Sequence, residues 1–115
     1  MKEGCVFCRI IAGEIPANIL YQDDKIIAIR DIKPQAPTHI LVLPKAHIPS
    51  LADLTPERGE LAAHLIYIVN ELAKREGIAK KGYRLVVNSG REGGQEVPHL
   101  HFHLLGGRGL SGTMG

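Results

Sequence analysis

The chain has 115 residues, of which 44% are hydrophobic and 23% charged, and its formal net charge at pH 7 is +2. This composition excludes a disordered or collagen-like chain, and the small net charge gives no sign of a nucleic-acid partner. No apolar run approaches the roughly 20 residues that cross a bilayer, and the N-terminus has no signal-peptide core. We therefore predict one domain over residues 1–115, located in the cytoplasm, with no membrane and no nucleic acid among its partners.

The first third of the chain predicts a short helix followed by three strands. In "CVFCRIIA", residues 5–12, apolar side chains recur at helical spacing, and Gly13 ends the run. "NILYQDDKIIAIRDI", residues 18–32, has the pattern of a hairpin with its turn at residues 22–24. "THILVLP", residues 38–44, predicts a third strand.

The middle of the chain predicts one long helix. Thr55 suits the N-cap, Pro56 suits the first helical position, and Glu57 favours the positive end of the helix dipole. An apolar stripe follows and ends before Gly77. The stripe consists of Leu61, Leu65, Ile68, Val69 and Leu72.

The last third predicts two more strands around a glycine-rich loop. "YRLVVN" (83–88) and "HLHFHLL" (99–105) read as strands, "SGREGGQEV" (89–97) as the loop, and residues 106–115 as a glycine-rich tail. Short strands joined mainly by turns favour an α+β fold with a five-stranded antiparallel sheet, one long helix and one short helix. We expect both helices on a single face of that sheet.

Three histidines alternate with apolar residues in the last predicted strand. His99, His101 and His103 should point to one side and Leu100, Phe102 and Leu104 to the other, which is the core side, so the imidazoles are expected on the open face. A chance polar face is one reading. A metal cage made by all three is another, although residues two apart in a strand lie roughly 6.5 to 7 Å apart and do not converge on one ion.

Nucleophilic catalysis is the third reading. A neutral imidazole attacks phosphorus readily and leaves again easily, so a covalent intermediate would divide a difficult displacement into two easier steps. The glycine-rich loop just upstream would offer backbone N–H groups to phosphate oxygens. Loop and strand together predict a nucleotidyl-transfer site.

Cys5 and Cys8 are the only cysteines, and their spacing suits a reduced pair for metal or redox chemistry. Two thiolates need two more ligands to complete a zinc tetrahedron. A pair of free thiols with no metal is the alternative.

The run from His99 to Leu105 matches the His-φ-His-φ-His-φ-φ signature, in which φ is an apolar residue, of the histidine-triad (HIT) nucleotide hydrolases and transferases. "RDIKPQAPTHILVLPKAH", "GYRLVVNSG" and "LLGGR" resemble the Hint branch of that family, and the resemblance runs from about Cys5 to Arg108. It implies a homodimer with joined sheets. It also implies hydrolysis of purine nucleoside phosphoramidates or aminoacyl adenylates, with release of AMP or GMP through a covalent nucleotidyl-histidine.

The resemblance also assigns roles to residues of this chain. His101 is implied as the nucleophile, with His103 and His39 at the phosphate. The residues implied to bind the nucleotide are Phe7, Ile29 and Ile32 at the base, Asp31 at the ribose, and Asn88, Gly94, Gln95 and Glu96 near the phosphate. A structural zinc ion is implied on Cys5, Cys8, His47 and His99, and no organic cofactor is expected.

One position departs from the family pattern. Many members have serine before the motif where this chain has Glu96, and an ionised carboxylate there cannot donate a hydrogen bond and repels a phosphate. Two other functions share the pattern: a dinucleoside polyphosphate hydrolase, and a nucleotide-binding regulatory protein with little turnover.

Overall fold

The structure is a computed structural model that describes residues 4–114. Residues 1–3 and 115 lie outside the described part; they are the ends of the short N-terminal zinc-ligand segment, predicted over about residues 1–12, and of the predicted tail. It has an α+β architecture, as predicted. In chain order the helices and strands are α1 (Val6–Ile11), β1 (Ile19–Gln22), β2 (Ile26–Arg30), β3 (Thr38–Pro44), α2 (Gly59–Arg75), β4 (Tyr83–Val87) and β5 (Phe102–Gly106). Among the described residues, no helix is long and apolar enough to cross a membrane.

The five strands form one antiparallel sheet in the order β1-β2-β3-β5-β4. The last strand is therefore inserted between β3 and β4, where it pairs on both edges. In this register His39 of β3 lies opposite Leu105 of β5, and Leu41 lies opposite His103. The order of the strands thus brings histidines that are distant in the sequence to one region of the sheet.

The β1–β2 hairpin turns one residue later than predicted, because the Asp23 side chain organises the turn. Its Oδ1 accepts hydrogen bonds from the backbone N–H groups of Lys25 and Ile26, each 2.8 Å long. Its Oδ2 lies 2.6 Å from the Tyr21 hydroxyl and 2.8 Å from His64 Nε2 on α2. Burial alone would raise the pKa of Asp23, but these hydrogen bonds lower it well below its usual range.

The prediction that both helices cover one face of the sheet is wrong. The α2 residues Leu65, Ile68, Val69, Leu72 and Ala73 pack with Ile26, Ala28, Ile40 and Val42 of β2 and β3 in one buried cluster. The α1 residues Phe7 and Cys8 pack with the alternate residues of the same strands, which are Ile27, Ile29, Leu41 and Leu43. Because successive strand residues point to opposite faces, α1 and α2 lie on opposite sides of the sheet.

Two element boundaries also differ from the prediction. The segment Pro56–Arg58 after Thr55 forms a 3-10 turn, so the α-helix itself begins at Gly59. The last strand begins at Phe102 instead of residue 99, because the backbone ahead of it is tied elsewhere: the N–H of Leu100 donates to the carbonyl of Ile48 at 2.7 Å. His99 and His101 therefore lie on an irregular entry to the strand.

Candidate active site

The alternation of the histidine string is retained in the structure, but the histidine face is not open. Leu100, Phe102 and Leu104 enter the core beneath α2, while His99 is 0% and His101 8% exposed on the other side. Helix α1 covers them, and its Phe7 ring meets both imidazoles edge-on, with centroid distances of 5.7 Å to His99 and 5.0 Å to His101. The expectation of solvated imidazoles fails because it left this face of the sheet without a helix.

The predicted metal ligands Cys5, Cys8, His47 and His99 lie together, with one ligand atom from each within 4.8 Å of the others. The Sγ of Cys5 is 3.3 Å from His99 Nδ1, and the Sγ of Cys8 is 3.2 Å from His47 Nδ1 and 3.6 Å from His99 Nδ1. Around a tetrahedral zinc ion, sulfur and nitrogen ligands are separated by about 3.5 Å. The four side chains therefore have the composition and spacing of a closed zinc site.

The second nitrogen of His99 supports the same fit. Its Nε2–H donates to the carbonyl of Pro44 at 2.8 Å, so the lone pair of the neutral ring lies on Nδ1, facing the two thiols. Burial lowers the pKa of His99 and so favours the neutral, ligating form. Burial also raises the pKa of the Cys5 thiol, so a bound cation would be needed to hold this buried sulfur as thiolate.

His101 has its tautomer fixed by the backbone. Its Nδ1–H donates to the carbonyl of His99 at 2.7 Å, so the neutral ring has its lone pair on Nε2. His101 lines the cavity described below. A buried imidazole with one nitrogen anchored and the other unprotonated toward a cavity is arranged as a nucleophile.

A pair of imidazoles, His39 of β3 and His103 of β5, lies beside His101. The backbone N–H of Gln35 donates to His39 Nδ1 at 3.0 Å, so a neutral His39 holds its proton on Nε2. That nitrogen is 3.0 Å from His103 Nδ1, which accepts the hydrogen bond, and 3.5 Å from Asp31 Oδ2. A neutral His103 then has its proton on Nε2, where it serves as a hydrogen-bond donor.

Both imidazoles of this pair favour the neutral state. Burial lowers the pKa of His39 from its usual 6.5. Burial, followed by the positive charge that His101 and His39 would add, lowers the pKa of His103 to about 4. At neutral pH both imidazoles in the hydrogen-bond chain from the Gln35 N–H through His39 to His103 are therefore uncharged.

His39, His101 and His103 line one cavity of about 680 Å³. Nearly all the residues implied for nucleotide binding line it: Phe7, Ile29, Asp31, Ile32, Asn88, Gly94, Glu96, His101 and His103, together with His39. Gln95 does not. Its amide instead bridges the loop, donating to the carbonyls of Pro49 and Val97 and accepting from the N–H of Gly90.

The sequence reasoning missed several lining residues, namely Val6, Ile10, Arg30, Lys33, Gln35, Leu41 and Val97. Val6 and Ile10 are one helical turn apart on α1, and this spacing was visible in the sequence once α1 was placed over the histidines. The apolar lining also includes two of the predicted base-pocket residues that are buried, Phe7 and Ile29, and a third, Ile32, which is 91% exposed at the rim. An apolar side chain this exposed is available to stack on a flat ring.

Asp31 is at the point where β2 ends. One carboxylate oxygen, Oδ1, accepts the N–H of Lys33 at 2.7 Å, as an ordinary turn aspartate does. The other, Oδ2, remains at the cavity beside His39. From the opposite face of the sheet, Glu76 holds this strand end through a bidentate ion pair with Arg30, both bonds 2.9 Å long.

The glycine-rich loop forms part of the cavity wall through Gly94, Glu96 and Val97. A side chain on Gly93 would collide with the carbonyl oxygen of Ser89, and Gly94 has a positive φ of 82°, so the turn requires both glycines. The Nδ2 of Asn88 donates to the carbonyl of Gly93 at 2.7 Å and fixes the loop to the end of β4. Glu96 is exposed at the cavity wall.

Comparisons with known proteins agree with this site. The sequence model of the HIT domain family matches residues 12–110. A purine nucleoside phosphoramidase of Escherichia coli is 51% identical over 110 residues, covering 96% of this chain and 92% of that protein. A HIT family hydrolase from Legionella pneumophila is 49% identical with a TM-score of 0.92, covering 94% of this chain and 96% of that one.

One further solved structure bears on the metal. A Zn-bound histidine triad family protein from Mycobacterium smegmatis is 32% identical with a TM-score of 0.79, covering 92% of this chain and 76% of that one. It shows that a protein with this fold binds zinc.

Proposed function

This chain belongs to the HIT domain family, and from that premise we propose that it is a purine nucleoside phosphoramidase that works through a covalent intermediate on His101. The observation that supports this most is the tautomer arrangement. His101 has its lone pair on the nitrogen that is not bonded to the backbone, and His103 has its proton on the nitrogen that is not bonded to His39. One cavity thus contains a nucleophile and a donor for phosphate chemistry.

The first step forms a bond between His101 Nε2 and phosphorus while the bond from phosphorus to the leaving amine breaks. The amine departs with the electron pair of that bond and takes up one proton from solvent. His103 Nε2–H donates to a phosphoryl oxygen, where negative charge develops in the transition state. The backbone carbonyl of His99 holds the proton on His101 Nδ1 and accommodates the positive charge that the ring acquires.

The second step releases His101 as a neutral imidazole. Water attacks phosphorus, the bond to His101 Nε2 breaks, and the water gives up a proton that balances the one taken by the amine. The products are the free amine and a nucleoside monophosphate. Phe7, Ile29 and Ile32 hold the base, and the outer oxygen of Asp31 accepts from the ribose hydroxyls.

We infer that Cys5, Cys8, His47 and His99 hold a structural zinc ion. Four protein ligands would complete a tetrahedral zinc site, so the ion would cross-link α1 to the segment that leads into β5 and would supply no chemistry on the substrate. The two cysteines are free in the structure, as befits the reducing cytoplasm, where we place the protein.

We also infer a homodimer, because no strand among residues 4–114 pairs with the outer edge of β4. Tyr83 and Leu85 on this strand are each 37% exposed, and Ile66 and Tyr67 on α2 are 46% and 56% exposed. The Tyr83 hydroxyl donates to Asn70 Oδ1 of α2 at 2.6 Å, so the strand and the helix that carry these exposed side chains are in contact. Pairing of this edge with that of a second copy would cover these side chains and remove the edge.

Replacing His101 with Asn tests the function. We expect hydrolysis of a fluorogenic adenosine phosphoramidate to fall by about 10⁴-fold or more, because the nucleophile is removed while binding groups remain. The wild type should hydrolyse this substrate much faster than a diadenosine polyphosphate. Faster cleavage of the polyphosphate would favour that hydrolase class, and AMP binding without turnover would favour a regulatory protein.

A further inference from the structure

Arg108 lies two residues beyond the last strand, is exposed, and does not line the cavity. Its guanidinium nevertheless reaches back to the loop between β2 and β3. Nη2 donates to the carbonyl of Gln35 at 2.8 Å, while Nη1 donates to the carbonyl of Gly109 at 2.9 Å. This arginine therefore fixes the carbonyl of Gln35 in the loop relative to the end of β5.

Close packing brings the two segments together. Gly107 has a positive φ of 93°, and a side chain there would come within 2.9 Å of the Pro37 Cβ. The absence of a side chain at Gly107 allows the backbone to pass directly against the loop. Arg108 is thereby placed where its guanidinium can reach the Gln35 carbonyl.

The residue that Arg108 holds is also the one that sets the tautomers of the histidine pair. The N–H of Gln35 donates to His39 Nδ1 at 3.0 Å, and His39 Nε2 is 3.0 Å from His103 Nδ1. If the Gln35 N–H moved away, His39 could place its proton on Nδ1. Its Nε2 would then accept from His103 Nδ1, and the remaining nitrogen of His103 would face the phosphate with a lone pair instead of a proton.

We propose that Arg108 is a positioning residue, which holds the backbone of Gln35 through its carbonyl so that the N–H of the same residue stays on His39, and His39 and His103 keep the tautomers in which His103 Nε2–H points to the phosphate. This rests on the proposed function for its kinetic consequence. The tautomers themselves are measurable without any turnover. The assignment extends the working site to a side chain outside the cavity.

Kinetics on an Arg108→Met variant give the first readout. We expect kcat for the adenosine phosphoramidate to fall about fivefold, the equivalent of about 1 kcal/mol for one exposed hydrogen bond, with KM nearly unchanged because Arg108 does not line the cavity. Arg108→Lys should recover part of the loss, since an ammonium can still donate to the Gln35 carbonyl. Arg75→Met is the matched control, because Arg75 is also exposed and also donates to a backbone carbonyl, that of Leu20, far from the site.

Histidine ¹⁵N NMR of the folded protein gives the second readout, because it distinguishes protons on Nδ1 from protons on Nε2. We expect His39 and His103 to be Nε2–H tautomers in the wild type and in Arg75→Met, and to become mixtures in Arg108→Met. A fall in kcat with unchanged tautomers, or no change in either, would overturn the proposal. A shift of tautomers in a protein whose wild type does not hydrolyse phosphoramidates would support the positioning role and refute the proposed function instead.

Discussion

Two clusters of polar side chains flank His101, and they differ in which groups the unprotonated ring nitrogens of their histidines face. In the cluster of Cys5, Cys8, His47 and His99, the ring nitrogen of His99 that faces the thiols has no proton, because its other nitrogen donates to a backbone carbonyl. In the cluster of Asp31, His39 and His103, the ring nitrogens face one another across a hydrogen bond.

The second cluster also brings three possible ligand atoms within 4.8 Å, yet its hydrogen bonds disfavour a metal. His39 Nδ1 accepts from the Gln35 N–H, so the proton of the neutral ring is on Nε2, the nitrogen that an ion would need. The comparison shows that proximity of ligands is insufficient to identify a metal site. The partner of the distal ring nitrogen decides whether an imidazole is prepared for an ion or for proton and phosphate chemistry.

The largest effect that would distinguish the two clusters is expected on kcat. His103→Ala removes the donor to the phosphoryl oxygen and should lower kcat by about 10²- to 10³-fold. Zinc content, measured by atomic emission on the purified variant, should stay equal to that of the wild type. A parallel loss of zinc would mean that the two clusters do not act separately.

The next effect is expected on stability. Cys8→Ser breaks the first cluster and should abolish zinc binding and lower the free energy of unfolding by roughly 3 kcal/mol, or about 12 °C or more in Tm. Chelation should lower the Tm of the wild type and leave that of the variant unchanged. His39→Asn, in the second cluster, is the control and should keep both zinc and the chelator response. Equal Tm values for the wild type with and without chelator would show that the thiols hold no metal.

The smallest effect is expected on the pH dependence of stability. Because the pKa of His103 is about 4 in the folded protein against its usual 6.5, the unfolded chain binds a proton that the folded chain does not bind between these values. The stabilisation is complete above pH 6.5 and is lost as the pH falls toward 4. Since His103 is only half-buried, we expect roughly 1–2 kcal/mol.

Denaturant unfolding from pH 7 to 4.5 measures this contribution. The free energy of unfolding of His103→Ala should fall less steeply with acid than that of the wild type, because the variant lacks the imidazole with the lowered pKa. Loss of zinc in acid should affect both proteins equally. His64→Ala, which removes an imidazole from the other face, is the control for any missing histidine. Parallel curves for wild type and His103→Ala would contradict the lowered pKa.

The fold class could be predicted from the sequence, because strand alternation and helical periodicity are local signals. For the candidate metal site, the cysteine spacing pointed only to Cys5 and Cys8, whereas His47 and His99 were implied by the family resemblance. The placement of α1 could not be obtained from its own periodicity, which says that Phe7 and Cys8 are buried but not on which face of the sheet. A signal did exist in the strands. Residues 26–29 and 38–44 are buried throughout, and continuous apolar runs of this kind are typical of strands covered on both faces.

The tautomer network was beyond sequence reasoning for a different reason. It depends on backbone groups, the carbonyl of His99 and the N–H of Gln35, whose directions are set by turns and not by residue type. The reach of Arg108 to Gln35 spans 73 positions and leaves no local pattern. Such contacts are visible only once the strand order places β5 beside β3.

Rapid base quenching of the wild type with an adenosine phosphoramidate, followed by mass spectrometry of the peptide containing residues 99–103, tests the central claim most directly. We predict a transient adenylyl group on His101 that forms at least as fast as turnover, decays as AMP appears, and is absent from His101→Asn. An adduct on His99 or His103, or turnover with no adduct at quench conditions that preserve phosphohistidine, would contradict it.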